Sequence, residues 1–274
     1  MKQIRATVLL VGDELLDGFV QDSNLAVLAR LLRARGIALE RAAVLPDNVD
    51  VIAAELRHAL AAPRPSLVIT TGGTGGTWDD VTYEAIARAA GVPLRVDPQL
   101  EASVRRLLDW TAGAGHDVDD DAVTAMMRIA TVPEGSTVHF AGPWLVCLQL
   151  DLDGGVLSDS GSTLLVLPGP LGHVRRLAEG VIASTILGPL TGTLAVAEVQ
   201  HGYPETLVVG ELGRIGRRRQ VKMGSYPGDP MLVRFRGEPD EVKAAAAELR
   251  AYLDALDQQP SAVRVRAAWN RQAL

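Results

Sequence analysis

The chain has 274 residues, of which 47% are hydrophobic and 22% charged, and its formal net charge is −6. This balance is typical of a folded globular protein, and the acidic excess argues against sequence-independent binding to nucleic acid. The single cysteine, Cys147, excludes an internal disulfide and a cysteine-based zinc cluster, which predicts a cytoplasmic protein. No signal-peptide pattern and no apolar run of the ~20 residues needed to cross a bilayer is present, so we expect no membrane partner.

Strand and helix patterns alternate through the N-terminal third of the chain. The pattern predicts strands at 6–11, 37–45 and 67–71, and helices at 24–35, 49–60 and 81–90. Such alternation implies right-handed crossovers and a mostly parallel sheet with helices on both faces, so we expect a three-layer α/β/α sandwich. Ligands of such sheets bind beyond the carboxyl ends of the strands, where the glycines after the third strand lie.

The remaining chain predicts further elements and a second domain. We expect a helix at 98–112, a solvated loop or helix start in the acidic run 117–121, and a strand at 164–167. After Gly188 the pattern becomes β-α-β-β-α, which predicts a small α+β domain. We therefore expect an α/β domain over 1–190, a small domain over 191–257 and a tail over 258–274.

A glycine-rich segment follows the third strand and carries the clearest chemical signal. Its glycines allow close approach of backbone N–H groups to an anion, and the following helix start favours negative charge. Asp79 and Asp80 beside a phosphate would make sense if a divalent cation such as Mg²⁺ bridged them. The alternative is a simple strand-to-helix turn in which Asp79 or Asp80 is the N-cap.

Several motifs resemble a known family. Gly72-Gly73-Thr74-Gly75, followed by Thr77, Asp80, Thr82 and Glu84, resembles the signature loop of the molybdopterin-binding family. More narrowly, the segments 12–18, 22–24 and 46–48 resemble the N-terminal domain of the competence/damage-inducible protein A (CinA) family. The later segments 202–206 and 222–227 resemble the small domain that follows it, which we describe as KH-like.

The resemblance implies roles for individual residues. It implies that Asp80 and Asp47 are catalytic and that Asp80 and Asp79 hold a divalent metal, which would be Mg²⁺, Mn²⁺ or Co²⁺. It implies that a nucleotide or pterin phosphate is bound by Gly72, Gly73, Thr74, Gly75, Thr77, Asp13, Glu14 and Gly169.

The resemblance also implies an activity and an assembly. We expect hydrolysis of a pyrophosphate bond of the ADP-ribose or FAD type, with molybdopterin as a possible ligand, in a homo-oligomer. Full-length CinA proteins continue into an amidohydrolase domain, whereas this chain ends at Leu274, so we expect a stand-alone form.

Two segments depart from the family pattern, which leaves a non-catalytic binding protein as the alternative function. His173 occupies a position where the family has glutamate, and the stretch from His139 to Trp144 replaces an Asn-Pro segment. Trp78, inside the glycine-rich segment, could either stack on a ligand ring or pack against the sheet edge.

An RNA-binding module is a further alternative. The basic segment Gly213–Arg219 contains a Gly-x-x-Gly pattern like the RNA-clamping loop of KH modules, or else forms an exposed basic hairpin.

Overall fold

The computed structural model describes residues 4–63, 65–156, 158, 160–188 and 194–272. The chain divides into two compact units, Met1–Gly192 and Thr193–Leu274.

The first unit contains eight described strands and seven described α-helices. The strands are β1 (Arg5–Val11), β2 (Ala38–Leu45), β3 (Ser66–Thr71), β4 (Leu94–Val96), β5 (Thr131–Pro133), β6 (Thr137–Phe140), β7 (Val146–Leu152) and β8 (Ser162–Leu167). The helices are α1 (Asp13–Leu16), α2 (Asn24–Ala34), α3 (Val49–Leu60), α4 (Thr82–Ala90), α5 (Pro98–Gly113), α6 (Asp120–Ile129) and α7 (Leu171–Leu177), which continues as a π-helical segment (Ala178–Ile186).

Six of these strands form one sheet in the order β2-β1-β3-β8-β7-β6. The four strands β2, β1, β3 and β8 pair in parallel, whereas β7 is antiparallel to β8 and β6 is antiparallel to β7. The mostly parallel α/β fold predicted from the sequence is therefore confirmed.

The two faces of the sheet are covered by different helices. Val8 and Leu10 of β1 pack in one cluster with α2, α7 and the π-helical segment, while Leu9 and Val11 pack in another with α3, α4 and α5. The alternation follows from the two-residue repeat of a strand. Because parallel strands β1, β3 and β8 end at one edge, the loops that follow them come together there.

The second unit consists of a three-stranded antiparallel sheet and three described helices. Its elements are β9 (Ala195–His201), α8 (Glu205–Arg219), β10 (Lys222–Tyr226), β11 (Met231–Gly237), α9 (Pro239–Asp257) and α10 (Pro260–Gln272). The sheet has the order β10-β11-β9, and Phe235 and Leu249 are fully buried between it and the helices.

One expectation for this unit is corrected. The segment Gly213–Arg219 lies inside α8, where Val208, Leu212 and Ile215 form a buried stripe at helical spacing, so its interpretation as a loop or hairpin was wrong. The segment predicted as a tail over 258–274 forms α10 in its described part, and Arg266 of α10 forms an ion pair with Asp257 at the end of α9.

Within the described residues, no helix has the length and apolar character that crossing a membrane requires.

Candidate functional site

A cavity of 420 Å³ opens at the edge of the main sheet where β1, β3 and β8 end. A volume of this size is typical of small-molecule sites, which span roughly 300–1,000 Å³. Its lining residues are Val11, Gly12, Glu14, Asp47, Gly72, Gly73, Thr74, Gly75, Asp79, Asp80, Tyr83, Ile129, Trp144, Val146, Val166, Pro168, Gly169, Pro170 and His173.

Most of the residues that the resemblance singled out lie in this lining. Those that line it are Glu14, Asp47, Gly72, Gly73, Thr74, Gly75, Asp79, Asp80 and Gly169. Asp13 and Thr77 are not in the lining, but each hydrogen-bonds to an aspartate that is. The fold thus brings together residues from four separate segments.

The segment Gly72–Gly76, which we call the glycine loop, has a backbone that a side chain would disrupt. Gly72 has a φ of +100°, and a Cβ there would lie 2.0 Å from the carbonyl oxygen of Val11. A Cβ on Gly73, at a φ of +62°, would lie 2.5 Å from the Thr82 hydroxyl. That hydroxyl donates to the Gly72 carbonyl at 2.9 Å, which fixes the loop to the start of α4.

Asp80 is held by the turn that it closes. Its Oδ2 accepts hydrogen bonds from the Thr77 N–H, at 2.9 Å, and from the Thr77 hydroxyl. Its own N–H donates to the Thr77 carbonyl at 3.1 Å. Helix α4 begins at Thr82 with Val81 as its N-cap, so neither Asp79 nor Asp80 is the N-cap that the alternative interpretation required.

Arg128, at the end of α6, is a site residue that the sequence reasoning missed. Its Nη1 donates to the Thr77 carbonyl at 2.9 Å, and its Nη2 donates to the Asp80 carbonyl at 2.7 Å and to Glu84 Oε1 at 3.0 Å. One guanidinium group therefore holds both ends of the Thr77–Asp80 turn. Arg128 lies 48 residues from Asp80 along the chain, and no local pattern signals the contact.

Asp47 and Asp13 form a reciprocal pair of backbone contacts. The Asp13 N–H donates to Asp47 Oδ2 at 2.9 Å, and the Asp47 N–H donates to Asp13 Oδ1 at 3.3 Å. Burial raises the pKa of the Asp47 carboxyl above its usual value, the Asp13 N–H opposes this, and repulsion from Asp13, Glu14 and Asp79 adds to it. The cavity therefore carries more negative charge than its own donors balance.

Asn24, at the start of α2, ties two loops of this edge together. Its Nδ2 donates to the Gly169 carbonyl at 2.7 Å and to the Thr71 hydroxyl at 3.2 Å. Thr71 in turn donates to the Pro168 carbonyl at 2.9 Å. The chain that follows β8 is thereby held beside the start of the glycine loop.

The two segments that depart from the family pattern both reach the cavity. Trp144, in the loop between β6 and β7, and His173, in the first turn of α7, line it. Trp78 does not, and its side chain is 86% exposed, so it neither packs against the sheet edge nor faces the cavity.

The carboxylates do not by themselves form a closed metal site. Across the part of the chain that the structure describes, no three His, Cys, Asp or Glu side chains are grouped closely enough to hold a metal ion. Mg²⁺ is commonly bound through one or two carboxylates together with phosphate oxygens, and this arrangement is compatible with the residues present.

Comparisons with known proteins agree with this fold. Residues 7–187 match the family described as "Probable molybdopterin binding domain". A "CinA-like protein" of Deinococcus radiodurans is 32% identical over 256 residues, which are 90% of this chain and 58% of that protein. A "CinA-like protein" of Mycobacterium sp. (strain JLS) is 37% identical over 167 residues, covering 61% of this chain and 38% of that protein.

A solved structure of a CinA protein is also similar to this chain. The crystal structure of CinA from Thermoplasma acidophilum, a protein described as having unknown function, is 26% identical with a TM-score of 0.52. The match covers 65% of this chain and 95% of that one. The chain spans less than two thirds of the two curated relatives named above. The family match over residues 7–187 and the CinA-like relatives together show that the chain belongs to the molybdopterin-binding domain family, in its CinA-like branch.

Proposed function

We propose that this protein binds a nucleotide or pterin phosphate at the glycine loop and hydrolyses a pyrophosphate bond of that ligand. The observation that carries the proposal is the placement of a glycine-rich backbone, Gly72–Gly75, beside Asp80 and Asp47 in one cavity. A phosphate needs close N–H donors, and hydrolysis needs a group that accepts a proton from water.

The glycine loop is suited to hold the phosphates. No described residue accepts a hydrogen bond from the backbone N–H of Thr74, Gly75 or Gly76. Such free donors bind anions, and they stabilise the charge that develops on phosphate oxygens during attack at phosphorus.

Asp47 and Asp80 would have different roles in the hydrolysis. The raised pKa of Asp47 makes its carboxylate a better proton acceptor, so it would take a proton from the attacking water. The water oxygen bonds to phosphorus as the bond from phosphorus to the bridging oxygen breaks, and the bridging oxygen leaves with the second phosphate. Asp80, fixed by Thr77, would orient the ligand at the loop.

We also propose that a divalent cation binds together with the phosphates. Asp79 and Asp80 are the residues that would hold it. The repulsion from neighbouring carboxylates, which adds to the effect of burial in raising the Asp47 pKa, is a charge excess that a cation would relieve. It would supply neutralisation of the phosphate charge.

The test is release of AMP from ADP-ribose and from FAD with Mg²⁺, Mn²⁺ or Co²⁺. We expect Asp80→Asn and Asp47→Asn each to lower the rate at least about 100-fold, in the range of losses seen when a catalytic group is removed. Asp109→Asn, an exposed aspartate on α5, is the matched control and should keep the wild-type rate. Full activity in Asp80→Asn would refute the proposed site.

A non-catalytic binding protein is the second candidate, favoured by one observation. Trp144 and His173, which replace family residues, both line the cavity and so alter its wall. A thermal shift with AMP but no turnover of any pyrophosphate would favour this function.

We also propose that the protein is a cytoplasmic homo-oligomer. The end of α1 and the segment after it expose the apolar residues Leu16, Phe19 and Val20, which a second copy would cover. Light scattering of the purified protein tests this, and a monomeric mass would refute it.

A further inference from the structure

The cavity is polar at one end and apolar at the other, and the strand order explains why. Its carboxylates and all of its glycines except Gly169 follow β1, β2 and β3, whereas Val166 lies on β8, Val146 begins β7 and Trp144 precedes it. The sheet order β2-β1-β3-β8-β7-β6 places the first group on one side of the boundary between β3 and β8 and the second group on the other.

Trp144 is the largest side chain of the apolar end. The residue is 51% exposed although it lines a cavity, so part of its surface is free to contact a ligand. Tryptophan is a large apolar side chain whose ring face attracts other aromatic rings. Trp78 and Trp110 are also exposed, but they do not line the cavity as Trp144 does.

The polar end does not suit an uncharged ring, and the apolar end does not suit a phosphate. Glu14, Asp47, Asp79 and Asp80 occupy the first, whereas Val146 and Val166 accompany Trp144 in the second. A ligand that fills both ends therefore combines a phosphate with a planar apolar ring. A ring-free phosphate would leave the indole without a partner.

We infer that Trp144 is a stacking platform that makes the site selective for phosphates carrying a planar aromatic ring, such as purine, pterin or flavin nucleotides. The inference rests on the proposed phosphate binding at the glycine loop. His173 lines the same cavity, and its imidazole offers a hydrogen bond to the edge of a stacked ring.

Binding at equilibrium, with Mg²⁺ present and with ligands that contain no pyrophosphate bond to hydrolyse, tests the inference. Calorimetric titration compares AMP and FMN with ribose 5-phosphate and inorganic phosphate, on wild type, Trp144→Leu, Trp144→Phe and Trp110→Phe. Since stacking of one base on an aromatic side chain is commonly worth a factor of ten or more, we expect Trp144→Leu to weaken AMP about tenfold. Ribose 5-phosphate affinity should not change, Trp144→Phe should keep most of the AMP affinity, and Trp110→Phe should keep all of it.

A second readout uses fluorescence. With Trp78, Trp110 and Trp269 all replaced by Phe, Trp144 is the only tryptophan emitter, and AMP should change its emission whereas ribose 5-phosphate should not.

The outcomes separate this inference from the proposed function. If ribose 5-phosphate binds wild type as tightly as AMP, or if Trp144→Leu binds AMP normally, the stacking role is refuted while the phosphate site stands. If inorganic phosphate, ribose 5-phosphate and AMP all fail to bind, both proposals are refuted. The affinities for AMP and FMN then show whether the site binds a purine or a flavin ring more tightly.

Discussion

Replacing Arg128 is the sharpest test of how the candidate site is held in place. The Arg128 guanidinium donates to the carbonyls of Thr77 and Asp80 and to the Glu84 carboxylate. In Arg128→Gln both carbonyl contacts are lost, because the shorter neutral amide cannot span the turn from α6. We expect Asp80 to lose its fixed position while the rest of the sheet stays intact.

The size of the effect follows from the three contacts. The Arg128 side chain is 31% exposed and its Glu84 partner 37%, so the ion pair itself contributes little, about 0–1 kcal/mol. The two carbonyl hydrogen bonds have a charged donor, and their combined loss should cost about 1–2 kcal/mol in this partly solvated place. For a unit of this size that lowers the melting temperature by roughly 2–8 °C.

The expected loss of activity is larger than the loss of stability. A misplacement of about 1 Å at a reacting group can lower a rate about 100-fold. We therefore expect Arg128→Gln to lower kcat for AMP release about 100-fold with a much smaller change in KM. Arg128→Lys, which keeps the charge but lacks the planar guanidinium group, should retain only part of the wild-type kcat.

Hydrogen exchange supplies a measurement that does not depend on activity. The amides of Thr77 and Asp80 donate within the turn, and their exchange should accelerate in Arg128→Gln. Glu84→Gln, which keeps both carbonyl contacts, should change little, and Arg105→Gln, which removes an exposed pair with Glu101 on α5, is the matched control. Unchanged exchange and unchanged kcat in Arg128→Gln would show that the Thr77–Asp80 turn keeps its conformation without Arg128, and would refute the role assigned to Arg128.

Two further changes test the backbone of the site and the core of the second unit. Gly72→Ala places a Cβ 2.0 Å from the Val11 carbonyl oxygen at a φ of +100°, so urea unfolding should show a free energy of unfolding lower by about 2–4 kcal/mol. Gly210→Ala, which has open space around its Cβ inside α8, is the control and should be neutral or stabilising. Equal stabilities of the two variants would contradict the conformation of the loop. His201, 7% exposed, accepts a hydrogen bond from the Tyr203 N–H, its Nε2 has no partner among the described residues, and burial lowers its pKa. The unfolded chain then binds a proton more readily than the folded one, so the stabilising effect of a neutral His201 is present above a pH of about 6.5 and is lost as the pH falls below it. Urea midpoints between pH 7.5 and 5 should fall less in His201→Gln than in wild type or in the exposed control His116→Gln, and parallel curves for all three would refute the assignment.

Local patterns in the sequence were enough to predict the first half of the main sheet. The apolar run 6–11 becomes β1 with its side chains alternating between two buried clusters, and Leu28, Leu32, Ile52 and Leu56 fall on the buried faces that their spacing indicates. The parallel direction of these strands could also be predicted, because strands joined by helices run parallel through right-handed crossovers.

Elements with weaker local signals were missed or misassigned. Strands β6 and β7 mix polar and apolar residues near the edge of the sheet, and their pairing is decided by contacts with β8. The glycines at 213 and 216 suggested a loop, but the buried stripe Val208, Leu212 and Ile215 makes one continuous helix, because tertiary packing outweighs the low helix propensity of glycine.

The glycine loop could be singled out as a candidate site without the fold, because glycines leave the backbone open to a ligand, and Asp79 and Asp80 follow it directly in the chain. No local pattern could show that Asp13 pairs with Asp47, that Arg128 holds the turn at Asp80, or that Trp144 lies on the cavity wall. Each of these contacts joins residues far apart in the chain, and their positions depend on the order and direction of the strands that carry them. The side chains share one cavity because the folded sheet brings the ends of β1, β3 and β8 and the start of β7 to the same edge.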